Sequence, residues 1–392
     1  MIIVLYPYPF SNYFINKFKF SEIGKKLKVP IEYIDLSKIL YPNKNRFFSK
    51  SKNKKILEFQ TINQWKKYMS EKVKGKKIYI LNLLSQDSYA SFKIHYYLKN
   101  LNSNIIQYKS AETLNQKRDN NLVNNIIKGI FLLFINPSRL KFIFNERFFS
   151  KIISLLRFKK LIILYSGKKK FIQSQLNSHK VKFFKYNSTD YFNYLEFEKK
   201  KLKKIKKKTI VYLDSRAPFI TDRMMFGYNY KYDIKLWYKV LNIFLKNVEN
   251  IFQKKIVIVP HPRSRNDFRQ LYDKSFHVLR GKDATIKSIK NSYFVIANSP
   301  TTATSYCILY NKPINFIFNN QQKLKMPESV LDTKSLAKYL NTKCINSEKK
   351  ITKKNFRLKL DKKYFNRYKY NFLTSKETLN KSVFKIWKNI LN

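Results

Sequence analysis

Glycine is scarce in this chain, with 6 in 392 residues. A P-loop and a dinucleotide-binding loop both need closely spaced glycines that let the backbone approach a phosphate. Neither GxxxxGK(S/T) nor GxGxxG occurs, which argues against a P-loop ATPase and against a standard dinucleotide site. The sequence also lacks HExxH, paired CxxC and GxSxG, so the common zinc-ligand and nucleophile-elbow motifs are missing.

Cysteine is scarcer still, since Cys307 and Cys344 are the two present. Two such residues give no disulfide framework, so a reducing compartment, the cytoplasm, is expected. Long apolar runs are missing as well, because the longest, 129–135, falls far short of the roughly 20 residues that span a bilayer. The first residues lack the basic segment of a signal peptide. We therefore expect a soluble protein or one that is peripheral at the inner face of the plasma membrane.

Acidic residues are few, with 24 Asp and Glu against 81 Lys and Arg and a formal net charge of +57. Lysine supplies 68 of the basic residues and arginine 13. The abundant Lys, Asn, Ile, Phe and Tyr all have A/T-rich codons, so codon bias favours a solvated lysine surface over a dedicated nucleic-acid face. Such a surface still attracts anionic ligands, including nucleotide-sugars, and anionic membrane. Six of the 13 arginines fall between 216 and 280, which weakly supports an anion site there.

The length of 392 residues suits two α/β domains rather than one. Strand 2–6, helix 14–28 and strand 31–36 form a βαβ opening, and apolar runs continue to alternate with helical patterns along the chain. We predict an N-terminal Rossmann-like domain over 1–198 and a basic linker over 199–208. A second Rossmann-like domain follows over 209–363, and a C-terminal helix within 364–392 packs back toward the first domain.

Two neighbouring strands of the second domain end in residues that suit an anion site. The buried strand 256–259 ends in Pro260, His261, Pro262 and Arg263, and strand 293–297 is followed by Asn298, Ser299 and Pro300. A helix is predicted over 301–310, with Ser299 as its N-cap and Pro300 as its first residue. Hydroxyls and free N–H groups at a helix start, beside a His and an Arg, would bind a phosphate at the carboxyl edge of the sheet. The alternative is a simple turn and a simple cap.

Six short motifs occur in an order and spacing that are moderately specific when they are taken together. They are Ser188-x-Asp190-Tyr191-x-x-Tyr194-Leu195, Leu213-Asp214-x-x-x-Pro218-Phe219-x-x-Asp222, His261-Pro262-Arg263-Ser264, Gly281-Lys282, Ala297-Asn298-Ser299-x-Thr301-Thr302 and Asn311-Lys312-Pro313-Ile314.

With these motifs, positions 186–320 resemble a bacterial surface carbohydrate (capsule or O-antigen) biosynthesis family, and more distantly bacterial sialyltransferases and other GT-B glycosyltransferases. The resemblance implies two doubly wound Rossmann-like domains facing a cleft. The chain departs from the pattern where the family has a second His-Pro after Pro218-Phe219. It also lacks the acidic pair that supplies a base in the first domain of sialyltransferases.

The resemblance implies a metal-independent glycosyltransferase that needs no cofactor and acts in surface polysaccharide or lipopolysaccharide biosynthesis. Its nucleotide-sugar donor, CMP-activated by analogy with sialyltransferases or else a UDP-sugar, would bind the second domain, and a glycan or glycolipid acceptor the first. His261 would assist the leaving phosphate. Arg263, Ser299, Thr301 and Thr302 would hold that phosphate.

Asp214 is either the catalytic base or the cap of its own turn. Asp190 is a further candidate base, or it simply initiates a helix. Three other functions remain open: a nucleotide-sugar epimerase of the same fold, a non-catalytic scaffold of the envelope-polysaccharide machinery, and a basic nucleic-acid-binding protein. The last lacks any recognisable nucleic-acid-binding motif.

Overall fold

The computed structural model describes residues 1–42, 56–109, 137–168, 177–178, 180–200, 209–219, 232–261, 266–281 and 283–392. Its strands form two large parallel sheets and one short ladder. In chain order they are β1 Ile2–Tyr6, β2 Ile31–Asp35, β3 Ile56–Glu58, β4 Tyr79–Asn82, β5 Asn104–Lys109, β6 Arg157–Phe158, β7 Leu161–Ser166, β8 Asn177–Ser178, β9 Val181–Tyr186, β10 Thr209–Asp214, β11 Ile256–Pro260, β12 His277–Val278, β13 Ser292–Ala297, β14 Ile314–Phe318 and β15 Cys344–Asn346.

Helices cover both faces of each sheet. They are α1 Asn12–Phe18, α2 Phe20–Leu27, α3 Ser37–Leu40, α4 Ile62–Val73, α5 Tyr89–Asn100, α6 Pro137–Leu155, α7 Thr189–Lys199, α8 Ile234–Phe252, α9 Ala284–Asn291, α10 Ala303–Leu309, α11 Asn320–Lys325, α12 Pro327–Tyr339, α13 Lys362–Tyr368 and α14 Val383–Leu391. Short 3-10 helices lie at Ala217–Phe219, Asn266–Leu271 and Lys353–Asn355, and a π-helix at Lys369–Leu373.

Both sheets have the doubly wound strand order. The first runs β3-β2-β1-β4-β5-β7-β9 and the second β12-β11-β10-β13-β14-β15. In each sheet the chain therefore starts in the middle and adds strands outward to one side. It then returns to the middle and adds strands outward to the other side. Strands such as β4, β7 and β14 are buried along their whole length, as expected where helices cover both faces. The predicted fold class, two Rossmann-like α/β domains, is confirmed.

The single helix predicted over 14–28 is wrong, because the chain breaks at Lys19 into α1 and α2. Lys19 adopts the left-handed conformation at φ 57° and serves as the C-cap of α1 and the N-cap of α2. Its side chain is buried and forms an ion pair with Glu196 of α7. A buried ammonium needs such a partner, and this requirement overrides the helical preference of the local sequence.

The last helix of the chain lies in the core of the first sheet. Trp387 of α14 is buried and donates a hydrogen bond from Nε1 to the hydroxyl of Tyr186, at 3.2 Å. Val383, Ile386 and Ile390 complete the same apolar cluster. The division of the chain at 199–208 stays a prediction, since α7 ends at Lys199 and 201–208 lie outside the described residues.

A seam of two hydrogen bonds to backbone carbonyls joins the end of β7 to the π-helix that precedes α14. Ser166 Oγ donates to the carbonyl of Phe372 at 2.7 Å, and Lys168 N–H donates to the carbonyl of Asn371 at 3.1 Å. Gly167 lies between them at φ 74°, in direct contact with the Asn371 backbone. Only a residue without a Cβ fits this contact.

We expect Gly167→Ala to destabilise the protein several-fold more than Gly75→Ala. Both positions have a positive φ, so both substitutions carry the left-handed penalty of about 1–2 kcal/mol. At position 167 the new Cβ would also overlap the Asn371 carbonyl, whereas at 75 it meets open space. Thermal unfolding of the two variants measures the difference. Equal melting temperatures would show that the seam does not constrain the fold.

Candidate functional site

Three strand ends meet at the carboxyl edge of the second sheet. In the parallel register Asp214 pairs with Pro260, and Leu213 pairs with Ala297. His261 and Asn298, which follow those partners, therefore lie on either side of Asp214. The strand order reverses between β10 and β13, and ligands of doubly wound sheets bind at such a reversal.

Asp214 is buried and accepts hydrogen bonds at both carboxylate oxygens. Oδ1 accepts from the N–H of Arg216 at 2.9 Å, and Oδ2 accepts from the hydroxyls of Tyr272 and, at 3.4 Å, Tyr238. Burial raises the pKa of Asp214, and these hydrogen bonds oppose the rise. The contacts to Arg216 are those expected if Asp214 caps its own turn.

Arg216 occupies a strained backbone position directly after this turn. Its φ of 58° is in the left-handed region, which costs a non-glycine residue about 1–2 kcal/mol. The hydrogen bond to Asp214 holds it there, and its guanidinium lies 5.9 Å from the ring centre of Phe219. Its position directly after β10, at the edge where the strand order reverses, makes Arg216 a candidate that the sequence motifs did not single out.

Asn298 cross-links the edge on the other side of Asp214. Its Oδ1 accepts from the N–H of Ser215 at 3.0 Å, and its carbonyl accepts from Nε2 of Gln322 at 3.3 Å. Asn298 and Gln322 are both buried. Gln322 follows β14 in an amide-rich segment, so the rule that polar residues after parallel strands mark a site would have found it.

Four buried polar atoms at this edge have no hydrogen-bond partner among the described residues. They are Ser215 Oγ, Asn298 Nδ2, Thr301 Oγ1 and Gln322 Oε1. Most buried polar atoms in proteins are paired, and an unpaired one costs roughly 1–3 kcal/mol. Their concentration at the reversal of the strand order gives the edge unused donors and acceptors for a polar ligand.

The predicted role of Ser299 as an N-cap is wrong. Helix α10 begins at Ala303 with Thr302 as its N-cap, and Thr302 makes no side-chain capping bond. A turn precedes the helix, in which the N–H of Thr304 donates to the Thr301 carbonyl at 3.0 Å and the N–H of Thr301 donates to Thr304 Oγ1 at 3.4 Å. These local bonds compete with a helix start at Pro300. A helix of seven residues offers little dipole, so the predicted anion site would depend on side chains instead.

The other predicted site residues lie in different parts of the structure. His261 follows β11 directly and is half-buried, while Ser299, Thr301 and Thr302 follow β13. Arg263 lies outside the described residues. Asp190 is buried in the first turn of α7, whose N-cap Ser188 accepts from the N–H of Tyr191 at 3.2 Å, as expected for helix initiation.

Within the described ranges, no cluster of three His, Cys, Asp or Glu side chains is placed to hold a metal ion.

The first sheet carries a carboxylate at its own reversal, between β1 and β4. Asp87 lies in the loop after β4 and is buried. Its Oδ2 accepts from the hydroxyl of Tyr41 at 2.7 Å, and its Oδ1 accepts from Ser85 Oγ at 3.0 Å. Burial, followed by the charge of Asp87, raises the pKa of Tyr41, so the phenol stays protonated and donates. Each carboxylate oxygen keeps a further lone pair.

No protein-family model matches this chain, and no curated protein matches it in sequence. Its fold is similar to that of the glycosyltransferase SnogD from Streptomyces nogalater, at 6% identity and a TM-score of 0.46, covering 100% of this chain and 99% of that one. The wall teichoic acid polymerase TagF has 12% identity and a TM-score of 0.46, covering 99% and 88%. The UDP-N-acetylglucosamine 2-epimerase from Rickettsia bellii has 14% identity and a TM-score of 0.39, covering 80% and 78%. Similarities this low carry no argument about ligand or reaction.

We predict that Asp214→Asn changes how stability depends on pH. Since the folded-state pKa of Asp214 is raised above its ordinary value of 3.8, the folded protein binds this proton more tightly than the unfolded chain does. The stability that the protonated Asp214 contributes to the folded state is fully present below pH 3.8. It is lost as the pH rises through the folded-state pKa. The melting temperature of the native protein minus that of the variant should therefore fall with rising pH across this window. A difference that grows with pH would contradict the raised pKa.

Proposed function

We propose that this protein is a metal-independent glycosyltransferase that moves a sugar from a nucleotide-sugar donor to a glycan or glycolipid acceptor. The observation that carries the proposal is the group of unpaired polar atoms at the carboxyl edge of the second sheet. They lie where the strand order reverses between β10 and β13, and His261 and Arg216 also follow strand ends there. A phosphate-bearing ligand matches this combination of hydroxyls, amides, imidazole and guanidinium.

The donor phosphate would be held by the side chains around Asp214. Arg216 supplies a guanidinium that suits bidentate contact with phosphate oxygens. Thr301 Oγ1 and Asn298 Nδ2 supply neutral donors, and Arg263, Ser299 and Thr302 are the further ligands that the sequence predicts. Asp214 would keep the Arg216 turn in place rather than react.

His261 would act on the leaving group. As the bond between the sugar and the phosphate breaks, negative charge develops on the phosphate oxygen that departs. A hydrogen bond or proton from His261 offsets that charge, and removal of one such donor typically costs on the order of 10² to 10³ in rate. The donor is a CMP-activated or UDP-activated sugar.

The acceptor hydroxyl needs a base, and we assign Asp87 of the first sheet to this role. The acceptor oxygen forms the new bond to the sugar carbon while its proton passes to the Asp87 carboxylate. The hydroxyls of Tyr41 and Ser85 fix the orientation of that carboxylate. Asp214 is the poorer base, because two tyrosine hydroxyls and a backbone N–H already occupy its buried oxygens.

We expect one nucleotide among CMP, CDP, UDP and GDP, or its sugar, to raise the melting temperature of the protein. Ligand at 100 times its dissociation constant adds about 2.7 kcal/mol of stability. His261→Ala should weaken this binding by about tenfold or more, since a hydrogen bond to a charged group is worth roughly 1.5–3 kcal/mol. His277→Ala is the matched control, because His277 is exposed on the edge strand β12.

No stabilisation by any nucleotide would contradict the proposal. Tight and steeply salt-dependent RNA binding that is unaffected by His261→Ala would replace it with the nucleic-acid-binding function. Nucleotide binding without turnover would favour the scaffold, and conversion of the donor sugar without an acceptor would favour the epimerase.

We expect Asp87→Asn to lower sugar transfer by roughly 10² to 10⁴, the range of general base catalysis, and to leave the nucleotide-induced thermal shift intact. Asp190→Asn is the control, since helix initiation predicts transfer within a few-fold of the native rate. Nucleotide release from the donor in the presence of a membrane glycolipid fraction measures transfer. If the Asp87→Asn variant transferred sugar at the native rate, Asp87 would not be the base. The proposed donor site on the second sheet would stand.

A further inference from the structure

One face of the first domain exposes large apolar side chains to solvent. It is formed by α5 and α6 and is called the α5–α6 face here; its exposed members are Tyr89, Tyr96, Phe144, Phe148 and Leu155. Phe144 and Leu155 are each 69% exposed. Isolated exposed apolar residues are normal, but a contiguous group marks an interaction surface.

Ring contacts make this face continuous across the two helices. Phe144 stacks on Phe148 with ring centres 6.0 Å apart, and Phe148 meets Phe149 at 5.2 Å. Phe149 contacts Tyr89 of α5 at 6.2 Å, and Tyr89 stacks on Phe92 at 6.3 Å. The apolar surface therefore spans both helices instead of consisting of separate residues.

Basic side chains surround the aromatic residues. Lys93 Nζ lies 4.5 Å from the ring centre of Tyr89, and Lys99 Nζ lies 5.7 Å from that of Tyr96. Residues 89–100 and 144–155 together contain one acid, Glu146, against four bases: Lys93, Lys99, Arg147 and Lys151. The face thus combines apolar contact area with a net positive charge.

We propose that the α5–α6 face binds the surface of an anionic lipid bilayer. Exposed Phe and Leu side chains enter the boundary between headgroups and acyl chains, tyrosines sit at the headgroup level, and lysine and arginine contact anionic headgroups. Phe144, Phe148 and Leu155 have no polar atoms in their side chains, so they fit a bilayer better than a polar protein or nucleic-acid surface. None of the helices in the described part of the chain has the length and apolar character to cross a membrane.

The test is co-sedimentation of the full chain with vesicles. Phosphatidylcholine vesicles containing about one-third phosphatidylglycerol should bind the protein, and pure phosphatidylcholine vesicles should bind it at least about tenfold more weakly. The double variant Phe144→Ser and Phe148→Ser should lose at least about tenfold in binding to the anionic vesicles. Arg147→Glu with Lys151→Glu should lose a similar amount, with a flatter salt dependence.

The matched control replaces exposed apolar residues on the second domain. Leu236 and Ile243 of α8 are 46% and 53% exposed, and Leu236→Ser with Ile243→Ser should bind vesicles like the native protein. Unchanged binding by the Phe144/Phe148 variant would overturn the proposal, as would equal binding to neutral vesicles. Self-association through this face without vesicle binding would also overturn it.

Discussion

The parallel pairing of β10 with β11 and β13 is the constraint on which the candidate site depends. Parallel strands end at the same edge, so the residues that follow them become neighbours although they are far apart in sequence. Here the pairs Asp214–Pro260 and Leu213–Ala297 bring His261 and Asn298 to either side of one buried carboxylate. A slip of one residue in either pairing would turn those side chains toward the opposite face of the sheet.

The doubly wound pattern and several of the buried strands followed from the sequence, because buried parallel strands are short apolar runs that end in polar residues. The same rule identified Asp214, His261 and the segment after β13. It did not reveal the break at Lys19, which depends on a partner, Glu196, that is remote in sequence. Nor did it reveal that Thr304 would take the N–H of Thr301 and delay the helix, or that Arg216 would occupy a left-handed position. Local patterns predict elements, whereas tertiary partners decide their ends and their strained residues.

Asp87 and the α5–α6 face are close together in the first domain. Asp87 lies in the loop that leads into α5, and Tyr89 at the start of α5 is the first exposed residue of the α5–α6 face. A bilayer bound there would be near the edge that carries Asp87. An acceptor anchored in lipid would then need to diffuse in two dimensions only, which raises its effective concentration at the carboxylate. The large positive charge, whatever its origin in codon usage, would favour this encounter.

The position of α14 has a consequence for how the protein folds during synthesis. Trp387 and its neighbours in that helix fill the core beneath the first sheet, yet they are translated long after the strands of that sheet. The N-terminal domain therefore emerges from the ribosome with part of its apolar core uncovered. It completes that core only after the second domain has been made, and until then the uncovered surface is exposed to chaperones and to aggregation.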